Sequence, residues 1–180
     1  VSLPPFADAL TLLDRERRIR LASDPEAIPE SEDEEEGGEG PGRDVLGEME
    51  IAARIMITGG DEREDARMTR ADRLLIRNAI LLAATTVSQR GGDQVLTRDV
   101  VAALNAQGQE PTLPDHRRHR ATEMADGMAL FCSGLAGDFF DRPGSPWPEV
   151  DVTLVEMGVL AREGYEDQLT VAYTAMMSHI

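Results

Sequence analysis

Lysine is missing from this sequence, and all 18 of its basic residues are arginine. The loop that cradles nucleotide phosphates in P-loop enzymes sets a lysine on the β- and γ-phosphates. No such loop therefore lies within these 180 residues. Aromatic residues are scarce, at 4%. The core must be built from Leu, Ile, Val, Ala and Met, which suits packed helices better than a β-sandwich. Cys132 is the single cysteine, which excludes an intrachain disulfide and fits a reducing compartment. Positive charge is short as well: 34 acidic residues against 18 basic ones give a net charge of -16. A chain this acidic is not built to wrap nucleic acid non-specifically, although local basic patches can still contact it. No apolar run approaches the roughly 20 residues of a membrane span, and none has the pattern of a signal peptide. What remains is ordinary for a globular domain: 41% hydrophobic residues in a length that supports a core of its own.

Apolar residues recur at helical spacing along most of the chain. Pro4 and Pro5 forbid a helix at the start, and a first helix is expected over 7–21, with Leu10, Leu13 and Ile19 on its apolar side. Residues 23–43 hold the acidic run 30–36 followed by a glycine-rich stretch, and read as a flexible solvated loop or as an acidic mimic of nucleic acid. Asp44 is placed to cap a helix that uses Val45, Leu46, Met49, Ala52, Ala53 and Met56, and that ends at Gly59-Gly60. Thr69 and Asp72 resemble a capping box. The helix behind them, to about Gln89, carries Leu74, Leu75 and Leu82 on one face and Ile76, Ile80, Ala83 and Val87 on another, as the central helix of a bundle would. Its polar stripe, Arg70, Arg73 and Arg77, is expected to pair with Asp61, Glu62, Glu64 and Asp65, or to meet phosphates. Thr97 is expected to cap a short helix through Val100, Val101 and Leu104. Asp115 is expected to cap one running to about Gly134, with Gly134-Leu135-Ala136-Gly137 as its small-residue end. The period then changes. Residues 151–157, rich in β-branched side chains, read as a buried strand, and a last helix follows from about Tyr165 with Leu169, Ala172, Tyr173, Met176 and Ile180 inward. A lone buried strand needs sheet partners, so the chain reads as part of a larger α/β protein, both ends being excision boundaries.

Few residues suggest chemistry. Cys132 lies on an apolar helical face with no histidine near it in sequence, which favours a buried structural thiol over a nucleophile. His116, His119 and Glu123 share a helix face, but their spacing is not that of a common zinc site and arginines crowd them; no metal is assigned. Arg117, Arg118 and Arg120 sit at a helix N-terminus, against the helix dipole, and are the candidate contacts to nucleic acid or a partner. Residues 152–156 have the look of a Walker B strand, yet without a P-loop lysine Glu156 is not read as a magnesium ligand. No catalytic or cofactor-binding residue is assigned.

Four places resemble conjugative-transfer ATPases of type IV secretion systems, in the TraC-like branch carried by integrative conjugative elements. Leu3-Pro4-Pro5-Phe6 looks like the Leu-Asn-Pro-Phe segment that follows their P-loop half, with Pro4 where the family usually has Asn. The run from Gly137 through Phe139 and Asp141 to Gly144 looks like their segment before a core strand. Residues 152–160 and 169–180 resemble the next strand and the long helix ahead of Walker B. Residues 47–84 are similar to the branch's helical insertion. The resemblance implies a mainly α chain: a helical insertion plus one buried strand and a helix of a RecA-like α/β P-loop core. Residues 1–22 would leave that core, 23–43 form the acidic loop, 44–142 the insertion, and 143–180 return to the core. It further implies a motor, a homo-oligomer that is hexameric in the family pattern, at the cytoplasmic side of the inner membrane, using ATP and magnesium to drive pilus assembly or DNA transfer alongside other secretion components. Walker A would precede Val1 and Walker B would follow Ile180, so this segment alone would hydrolyse no ATP. Two other readings need no such parent: a stand-alone acidic helical interaction module, and a helical DNA-binding domain using Arg117, Arg118 and Arg120.

Overall fold

The structure, a computed structural model, describes residues 2–14, 44–144 and 155–177. Among these residues it is helical, with no strand. A 3-10 turn at Ala7–Ala9 leads into α1, described over residues 10–14. There follow α2 (Val45–Thr58), α3 (Glu62–Ala66), α4 (Arg70–Gln89), α5 (Thr97–Gly108), α6 (Asp115–Ala129), α7 (Gly134–Phe140) and α8 (Glu166–Met177).

The helices start and stop for local reasons. The Asp44 carboxylate accepts the Gly47 N–H at 3.0 Å and caps α2. Gly59, at φ +62°, supplies the left-handed residue that ends it. The capping box of α4 is complete: the Asp72 N–H donates to the Thr69 hydroxyl at 3.2 Å, and the Thr69 N–H donates to the Asp72 carboxylate at 2.9 Å.

The core is one cluster. From α4 it takes Leu75, Ile76, Ala79, Ile80, Ala83, Ala84 and Val87, all buried. Each large side chain among them contributes about 1.5–3 kcal/mol through burial. α4 packs on α5, α5 on α6, and α2 on α4, α6 and α8. The α2–α6 approach is close: a Cβ on Gly127 would lie 3.0 Å from the Ile57 carbonyl oxygen, so any larger residue must push α2 away. Phe6, Phe131 and Phe140 fill the end of the bundle where α7 closes it, the last two with ring centroids 5.7 Å apart.

Several expectations are corrected. Leu74 and Leu82 of α4 face outward, whereas Leu75 of the same expected face is buried with Ile76, Ile80, Ala83 and Val87. Leu96, not Thr97, is the N-cap of α5, and its N–H is satisfied by the Asp99 carboxylate at 2.8 Å. Pro114 precedes α6, leaving Asp115 as its first residue. That helix stops at Ala129 in a 3-10 turn, Leu130–Cys132, and Gly134 begins α7 instead of ending its predecessor. Of the expected strand, residues 151–154 lie outside the described residues, and Val155 to Met157 are irregular. Tyr173 of α8 is half exposed; Val171, Ala172 and Ala175 are buried, and Leu169 and Met176 pack against the core as expected. Ile19, Ile180, the remainder of the first helix and the acidic run 30–36 also lie outside the described residues.

Candidate functional site

The three arginines singled out in the sequence come together at the start of α6, and each meets an acid. Arg117 reaches across to the Ala71 carbonyl and lies 3.8 Å from Asp72; Arg120 lies 3.5 Å from Asp72 and 3.2 Å from Glu123; Arg118 pairs with Asp115. Three guanidinium groups thus face three carboxylates, Asp72, Asp115 and Glu123. Asp72 does double service, capping α4 and gathering Arg117 and Arg120. His119 lies 3.3 Å from Glu123, and His116 is exposed. Among the described residues no group of three His, Cys, Asp or Glu side chains is placed to hold a metal ion.

Sequence reasoning missed a denser centre. Glu50 of α2 is only 4% exposed. It pairs with Arg77 and lies 3.8 Å from Arg73 and 4.0 Å from Arg54, while Arg54 also holds Asp65 through its Nε at 2.9 Å. The hydrogen bond to Glu50 raises the Arg77 pKa, so that guanidinium is charged throughout the accessible range. Of the arginine stripe expected to meet Asp61, Glu62, Glu64 and Asp65, Arg73 and Arg77 are turned instead toward an acid on a neighbouring helix. The available signal was Glu50 itself, set between Met49 and Ala52 on the apolar side of α2.

At the other end of the bundle the chain is knotted by polar contacts. The Leu3 N–H donates to the Phe139 carbonyl at 2.6 Å, and the Ser2 hydroxyl donates to the Arg142 carbonyl at 2.7 Å. Asp141, 2% exposed, accepts from the Arg98 backbone N–H at 2.8 Å and from its Nε at 2.9 Å. Burial pushes the Asp141 carboxyl up, against the opposing pull of Arg98. The neighbouring Cys132 is half-buried, and desolvation raises its thiol to about 11. The thiol is therefore protonated at neutral pH. A cavity of about 40 Å³ lies between Pro4, Pro5, Val45, Met49, Thr174 and Ala175, room for about one water molecule and far too small for a nucleotide. No helix among the described residues is long and apolar enough to cross a membrane.

No family model matches the chain, and no curated protein or solved structure matches it.

Proposed function

We propose that this chain is the helical segment between Walker A and Walker B of a conjugative-transfer motor ATPase. The observation that carries the reading is a convergence. The resemblance assigns residues 1–22 and 143–180 to a RecA-like core and residues 44–142 to an insertion. In the fold, Pro4 stands against Gly144 and also walls the small cavity that α8 closes with Thr174 and Ala175. The segments assigned to the core thus meet on one side of the helical unit, as the two passages into and out of an insertion must. The absence of lysine accords with a segment that carries no phosphate-gripping loop.

In this reading the parent is a homo-oligomeric motor at the cytoplasmic side of the inner membrane. It takes ATP and magnesium on residues outside this segment, and the helical unit supplies a rigid surface to neighbouring copies or to the secretion channel. The natural gene tests it. A P-loop with its lysine is expected upstream of Val1, and four apolar residues followed by Asp-Glu downstream of Ile180. A start codon beside Val1 overturns the reading in favour of a stand-alone helical interaction module. The purified 180-residue chain is expected to release no phosphate from ATP above background; turnover that persists through successive purification steps counts against the assignment.

A further inference from the structure

The turn between α4 and α5 grips both passages at once, residue after residue. The Gln94 side-chain amide donates to the Gly144 carbonyl at 3.0 Å and accepts the Gly144 N–H at 2.9 Å, so one side chain satisfies both backbone groups of a single glycine. The Val95 N–H donates to the Ala7 carbonyl at 3.5 Å. The Thr97 hydroxyl donates to the Phe140 carbonyl at 2.8 Å, and Arg98 holds Asp141 through its backbone N–H and its side chain, its terminal nitrogen donating to the Asp141 carbonyl at 2.7 Å. Between the two passages there is almost no slack. A Cβ on Gly144 would lie 3.0 Å from Cδ of Pro4, and the Leu3 N–H is already committed to Phe139.

We infer that the α4–α5 turn is a clasp, with Gln94 as its pin, that locks the segment 2–7 and the segment 139–144 into one unit so that a displacement of either is passed to the other. Two hydrogen bonds from a planar amide fix both the position and the orientation of Gly144, which a single bond would not. Gly144 in turn backs Pro4. The clasp stands on this chain's own contacts. What it would couple, the helical unit to a motor core, rests on the reading above.

Amide exchange on the 180-residue chain, read by NMR, tests it. In the unaltered chain the Leu3 and Gly144 amides should be protected. Gln94→Ala should speed exchange at Gly144 at least tenfold and at Leu3 at least threefold, while the amides of Ile80 and Ala83 in α4 keep their rates. Gln94→Glu retains the acceptor for the Gly144 N–H and loses the donor, and should fall between. Gly144→Ala crowds Pro4 while leaving the amide pin in place, and should speed Leu3 with Gly144 still protected. Unchanged exchange at Leu3 in the Gln94 and Gly144 variants overturns the clasp, as does equal acceleration along α4, which would make Gln94 a part of general core stability. These results are separate from the genetic test: unchanged Leu3 exchange removes the clasp and leaves the motor reading, and a start codon at Val1 does the reverse.

Discussion

Arg54, Arg73 and Arg77 enclose one carboxylate, Glu50, which is nearly inaccessible to water and reaches them from across a helix interface. Arg117, Arg118 and Arg120 are neighbours in sequence and meet three separate acids, of which the Asp115 side chain is 94% exposed. The first group is committed: withdrawing its acid would take the shared counter-charge from Arg73 and Arg77 and leave Arg54 with Asp65 alone. The second is graded. Arg117, the least exposed of its three, is tied to the Ala71 carbonyl, whereas Arg118 rests on a partner that water and salt can replace.

Removing Glu50 should strike this contrast hardest. Glu50→Ala is expected to destabilise the chain by about 3 kcal/mol, the low end for breaking a buried pair because Arg73 and Arg77 are half exposed. The shift in the urea midpoint measures it, and a loss under about 1 kcal/mol would mean that water serves these arginines and that the two groups do not differ. Asp72→Ala comes next, at about 1–2 kcal/mol for the lost cap. Fraying confined to the first turn of α4, seen as faster amide exchange there, is the expected sign. Asp72→Asn keeps the acceptor for the Thr69 N–H and should recover most of the cap, which separates that role from the hold on Arg117 and Arg120. Arg118→Ala should be the mildest, within about 0.5 kcal/mol by the same titration. It also sharpens the comparison in a second assay. If this exchangeable arginine reaches DNA phosphate, its loss lowers the salt slope of binding by about one; equal slopes leave it a plain surface residue.

Much of the helical architecture was legible beforehand. The periods of α2, α4 and α6, the Asp44 cap and the Thr69–Asp72 box all follow from interactions within four residues of each other, which a linear sequence displays directly. Cys132 was legible in part: its apolar neighbours foretold shelter from water, but it is half-buried in a 3-10 turn and not buried on a helical face. The errors have a common cause. Leu74 and Leu82 are apolar enough for a core, but which side of α4 is covered depends on where α5 and α6 come to rest. The β-branched residues at 152–155 favoured a strand by local preference, and that expectation is no such error: 151–154 lie outside the described residues, and only its end, Val155 to Met157, is seen to be irregular. Thr97 has the chemistry of an N-cap, yet its hydroxyl turns to the Phe140 carbonyl, a group 43 residues away.

Composition and spacing alone excluded a phosphate-gripping loop and a disulfide, and set out a helical chain with its main caps in place, because those properties depend on residue identity and on neighbours within a turn. Tertiary structure decided which arginines surround Glu50, which apolar residues stay exposed, and how the α4–α5 turn holds Gly144 and Ala7 together. Those outcomes join residues dozens of positions apart, and hydrogen bonds or ion pairs of that separation exist only once packing has brought their partners within reach.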